Sequence, residues 1–154
     1  MQTWFEEYKT IIIFLHIFSA VVWVGGMIAI KIAVHPVLQS IDEPKIKLGK
    51  TLHIVGRLFH LVMPFIGIIA LCGVIIIQGT GLSGVMVHIK ETLWTIMTLN
   101  YTYMYIKRMQ AQKCFDLGNF ASAKEHMRLL PNILLPFNIV LGIVAIFLGV
   151  MLRG

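Results

Sequence analysis

Residues Ile11 to Ile30 read IIIFLHIFSAVVWVGGMIAI. The run is long enough to cross a bilayer, whose hydrocarbon core requires about 20 apolar residues of helix. Yet it holds a histidine, His16, near its start, then Trp23 seven residues on, then Gly25-Gly26. Residues i and i+7 share a helical face, so His16, Ser19, Ala20, Trp23 and Met27 form one stripe. An ionisable side chain at that depth is costly unless it faces protein or a cofactor, which makes His16 a candidate site residue. The alternative is a neutral imidazole hydrogen-bonded to a neighbouring helix.

The rest of the chain supports a membrane setting. Of 154 residues, 58% are hydrophobic and 13% charged, and the mean hydropathy is +0.84. A water-soluble domain of this size has no need of so much apolar surface, so the expectation is an integral membrane protein with a single domain, 1–154. Glu6 and Glu7 stand where a secretion signal has basic residues, and the apolar run is too long for one and lacks a cleavage site. The net charge of +6 lies between hydrophobic runs, as topology determinants do, with no aromatic-interleaved basic patch; nucleic-acid binding is excluded. Cys72 falls mid-span and Cys114 in a polar loop, too different in depth for a disulfide. The absence of CxxC and CxxCH excludes thioredoxin-like chemistry and covalent c-type haem.

Four apolar segments meet the spanning requirement, at about 9–34, 54–77, 85–106 and 133–152. The expected architecture is all-α, an up-down-up-down four-helix transmembrane bundle. His35-Pro36 is read as opening a loop that runs to Lys50, since proline discourages further helix. The turn 78–84 is glycine-rich, and the third connection extends helix three, breaks near Gly118-Asn119 and restarts as a short amphipathic piece. Lys9, Lys90 and Arg153 lie on one side. Lys31, Lys45, Lys47, Lys50, Arg57, Lys107, Arg108, Lys113, Lys124 and Arg128 lie on the other. By the positive-inside rule the second group faces the cytoplasm and both termini lie outside it. Gly25, Gly26, Gly67, Gly73, Gly142, Ala145 and Gly149 are expected where helices approach closely.

The histidines sort by this topology. His16 and His88 lie near the outer surface, on helices one and three, where a haem between the helices would find an imidazole on each side. An interfacial His88 near the headgroups is the alternative. His53, Arg57 and His60 share one face of helix two. There Arg57 suits a haem propionate, and His60 suits a second metal or haem with His35 or His126. A basic face on lipid headgroups is the other reading. Lys90 is a candidate for a carboxylate substrate or for Glu91, and Glu91 for a proton carrier. The methionines are scattered without MxxM or MxM pairs, as packing filler is; Met27 and Met86 remain candidate axial ligands.

LHIFSAVVWVGG in helix one, Arg57-Leu58-Phe59 with Pro64, His88-Ile89-Lys90, Lys107-Arg108 and Pro131 with its apolar run together resemble the HemJ/CopD group of small membrane proteins. The resemblance spans most of the chain through short motifs. It implies a haem-associated bundle of four or five helices. HemJ proteins oxidise protoporphyrinogen IX and bind haem b, and CopD-like proteins are linked to copper handling. Carried onto this chain, the implied functional set is His16, Trp23, Arg57 and Lys90. Lys31 stands where HemJ proteins have an arginine, His35 comes two places early and His60 is additional.

The expectation is therefore a b-type haem protein of the bacterial inner membrane, multi-pass, with a redox or electron-transfer role. It would hold one or two haems, with His16 as axial ligand and His88 or His60 opposite. Its partners would be membrane lipid, a quinone or other redox partner, and a homo-oligomer. Protoporphyrinogen oxidation, with Lys90 and Arg57 on the propionates, is the enzyme alternative; copper handling and a purely structural subunit follow.

Overall fold

The computed structural model describes residues 2–153. Helix α1 (Gln2–Ala29) passes through a π-helical turn (Ile30–Val34) into the short α2 (His35–Gln39). After a brief loop come α3 (Pro44–Thr80) and α4 (Val85–Asp116). Then α5 (Phe120–Met127) leads through a second π-turn (Leu130–Leu134) into α6 (Leu135–Arg153). Among the described residues three helical stretches are long and apolar enough to cross a membrane: Thr3–Gln39, Pro44–Thr80 and Phe120–Met151. Helix α4, at 32 residues, has the length, but His88, Lys90, Glu91, Asn100 and a line of threonines make it too polar to join them by composition.

Two boundaries differ from the sequence expectation. The loop anticipated from His35 to Lys50 is helix except at 40–43, and α3 begins ten residues before Ile54. Proline at the first helical position starts α3 readily, because its missing N–H has no partner there anyway. Pro36 is absorbed by the π-turn before it. The His35 N–H bonds to the Ile30 carbonyl, one residue further back than in an α-helix, and the wider turn accommodates the ring. Leu135-Pro136 repeats the arrangement, with the Leu135 N–H on the Leu130 carbonyl. That leaves the Pro131 carbonyl without a helical donor, since the next nitrogen belongs to Pro136. Lys31, inside the first π-turn, donates to it at 2.8 Å. The break at Gly118 (φ 81°) and the short α5 fall where expected.

The long helices pack in a ring, with α1 against α3 and α6, and α4 against the same two helices. The α3–α4 seam is held by side chains of α4 on backbone carbonyls of α3. Trp94 Nε1 donates to Ile66 O (3.3 Å), Tyr101 Oη to Phe59 O, and Arg108 to Leu52 O (3.1 and 3.0 Å). The donors climb by seven while the acceptors descend by seven, so the two helices run antiparallel in a single register. On the other flank Asn100 donates to Leu134 O (2.8 Å) and Asn138 to Met97 O (3.2 Å). Trp23, Met27, Phe59, Val62 and Met104 fill the centre. Phe14, Val21, Leu61, Leu71, Val140 and Phe147 lie exposed on the outside, as on a lipid-facing surface.

Close approach falls at only some of the expected glycines. A Cβ at Gly142 would come within 2.5 Å of Val24 Cγ2, whereas nothing lies within 4 Å at Gly25 or Gly67. The latter two face outward. Gly56, beneath the Arg108 guanidinium, and Gly79, beneath Phe5, are tight contacts that the sequence pattern did not single out. Gly142→Ala is therefore expected to lower the thermal midpoint in detergent by the equivalent of roughly 1–3 kcal/mol of overpacking, while Gly25→Ala holds or raises it. Equal effects would contradict the packing. Lys31→Met, which removes a charged hydrogen bond worth about 1.5–3 kcal/mol, is expected to lower the same midpoint, with Lys31→Arg retaining more of it.

Candidate functional site

His16 is half-buried in the seam between α1 and α3. Its Nδ1 lies 3.1 Å from the Ile69 carbonyl. A carbonyl only accepts, so Nδ1 carries the proton of that bond. The ring lies over Gly73, where a Cβ would sit 3.5 Å from Cε1; the glycine lets the imidazole lie close against α3.

Lys90 reaches the same level from the opposite seam. Carried one turn beyond the Trp94–Ile66 rung, the α3–α4 register sets Lys90 beside Ala70, at the height of Ile69. Its Nζ would stand 3.0 Å from a Cβ at Gly149 of α6. The Val24–Gly142 contact, extended along the antiparallel α1–α6 pair, brings Gly149 to the height of His16. Thus His16, Gly73, Lys90 and Gly149 occupy one layer, each basic side chain seated against a glycine of the next helix.

Below His16 on the same face of α1 lie Ser19 (0% exposed) and Trp23 (2%). Ser19 Oγ and Trp23 Nε1 are buried without a hydrogen-bond partner among the described residues. Buried polar atoms are nearly always paired, which sets these two, on successive turns of α1, apart from most of the core; Thr98 Oγ1 and Asn138 Oδ1 share the condition. Trp23 otherwise acts as a core anchor, its ring edge-on to Tyr101 at 6.4 Å.

The other sequence-predicted residues lie elsewhere. His88 points outward, with Nδ1 3.4 Å from Glu91 Oε2 and 77% of its side chain exposed. It shares one end of the bundle with His16 but does not face it. His60 is exposed on α3, its Nδ1 donating to Gly56 O at 2.7 Å and its ring 5.8 Å from Tyr105. It lies nine residues along α3 from Ile69, roughly 14 Å by helical rise. Neither histidine is placed to share one iron with His16. Arg57 is exposed and stands about 20 Å along the axis from the Lys90 level, so the two do not clasp the neighbouring propionates of one porphyrin. His53 is exposed, and His35 accepts from Gln39 (3.1 Å). Both cysteines are free. No cluster of three or more His, Cys, Asp or Glu occurs among the described residues.

For haem, the donor chemistry of His16 fits. Histidines that bind metals almost always donate the other ring N–H to a carbonyl or carboxylate, which fixes the tautomer. Lys90 offers a cation in the same layer. The paired-imidazole arrangement of His16 with His88 does not fit this geometry.

Inter-helix register is not readable from one chain, so spacing alone does not pair Gly73 with His16 or Gly149 with Lys90. Asn138, in the apolar α6, is a residue whose partner the sequence does signal: an amide there needs one on another helix, and Met97 O supplies it.

Fold and site together define an all-helical protein with, among the described residues, three helices long and apolar enough to cross a membrane and a basic layer near one end. No family model matches the sequence, and no solved structure matches it significantly. The chain is similar to an uncharacterized protein of Aquifex aeolicus (strain VF5), 26% identical over 147 residues that cover 94% of this chain and 95% of that one.

Nitrogen-15 spectra of histidine-labelled protein are expected to show the His16 Nδ1 protonated and hydrogen-bonded. A proton on Nε2 alone would contradict the Ile69 bond.

Proposed function

We propose that this is a b-type haem protein of the bacterial inner membrane with a redox role, in which His16 is an axial ligand of the iron. The observation that carries the reading is the Nδ1–Ile69 bond. It holds the ring against α3 through Nδ1, the kind of N–H-to-carbonyl bond that metal-binding histidines commonly make. Bound haem would supply one-electron chemistry at a potential set by its axial ligands and the polarity of its surroundings. Lys90 would neutralise a porphyrin carboxylate, the apolar helices would exclude water, and Ser19 and Trp23 would offer hydrogen bonds beneath the imidazole.

The same reading takes α4 as a fourth span, its polar side chains satisfied within the bundle rather than by lipid. The end carrying Lys45, Lys47, Lys50, Arg57, Lys107 and Arg128 then faces the cytoplasm, leaving both termini outside. Oxidation of protoporphyrinogen IX is the second reading, favoured by a lysine in the histidine layer. Failure to rescue a strain lacking that step, despite good expression, would remove it.

Protein purified from haem-replete cells is expected to show a Soret band and a pyridine haemochrome of b type. His16→Ala should abolish both, while His88→Ala leaves them. A colourless preparation, or a band that survives His16→Ala, would overturn the proposal.

A further inference from the structure

At the opposite end from His16, a groove of about 200 Å³ opens between α4 and the α5–α6 connection. Lys107, His126 and Arg128 line it together with Tyr103, Leu129 and Leu134. Lys107 Nζ lies 5.7 Å from the centroid of the Tyr103 ring, a cation–π contact that keeps the ammonium at the groove. Glu125 also lines it, with Oε1 3.4 Å from Arg128 Nε; that contact engages one of the five guanidinium donors. Lys107 and Arg128 against Glu125 leave the groove one positive charge in excess.

We infer that this groove binds one anionic phospholipid, its phosphodiester between Lys107 and Arg128 and an acyl chain along Tyr103 and Leu134. The excess charge matches a single phosphodiester. A lining that combines two cations with Tyr103, Leu129 and Leu134 suits a molecule with both a headgroup and a tail, whereas a free anion would use the cations alone. The groove also lies where α4 passes from its apolar stretch to Lys107, Arg108 and Lys113, the depth at which headgroups meet a spanning helix. The inference rests on the chain crossing a membrane and is independent of the haem reading.

The test is native mass spectrometry of the delipidated full chain in neutral detergent, titrated separately with phosphatidylglycerol, phosphatidylcholine and inorganic phosphate. Phosphatidylglycerol is expected to bind in preference to the other two. Lys107→Gln and Arg128→Gln should each weaken it about fivefold, the worth of one basic residue at an anionic headgroup. Lys107→Arg should retain binding, and Lys124→Gln, an equal loss of charge outside the groove, should leave it unchanged. Equal binding of phosphatidylcholine would overturn the proposal, and inorganic phosphate binding as well as the lipid would reduce the groove to a small-anion site. A loss on Lys124→Gln as large as on Lys107→Gln would mean diffuse surface charge and would also overturn it.

Discussion

Hydrocarbon offers no hydrogen bonds, so each polar group carried into an apolar bundle has to find its partner on another helix or on its own backbone. Helix α4 carries most of them, and its side chains are directed at the carbonyls of its neighbours. Trp94, Tyr101 and Arg108 reach α3 at heptad intervals, and Asn100 reaches α6. A slip of one residue would strand all of these donors at once, which makes the register of the bundle a single cooperative choice. The same logic joins the two π-turns, where a carbonyl left over by Pro136 is taken up by Lys31.

The candidate site is on α1. Trp94, Asn100, Tyr101 and Arg108 of α4 are engaged in holding helices together, while Ser19 Oγ and Trp23 Nε1 of α1, like Thr98 Oγ1 of α4, are buried without a hydrogen-bond partner among the described residues. His16 stands directly above Ser19 and Trp23, fixed by Ile69 and seated on Gly73. The α3–α4 ladder then lifts Lys90 to the same height. Structure and site are in this sense one device, because the bonds that set the register also decide which basic residues share a layer.

Hydropathy alone made the long apolar helices legible, and the glycine at 118 marked the break before α5. The helix through His35-Pro36 was not legible, because a π-turn that accommodates proline has no composition of its own. Spacing along α1 grouped His16 with Ser19 and Trp23, and the structure keeps that group. Spacing could not tell that His88 faces outward, since the face a residue presents depends on the rotation of its helix within the bundle. Arg57 illustrates the same limit: its depth from Lys90 follows from inter-helix register, which no single-helix pattern encodes.

The central claim, that the His16 imidazole ligates a haem iron, is tested most directly by chemical rescue. His16→Gly protein, purified without haem and mixed with haem, is expected to give the wild-type absorption spectrum only when free imidazole is added to occupy the vacated space. A His16→Gly protein that takes up haem with the wild-type spectrum and no imidazole would contradict the account.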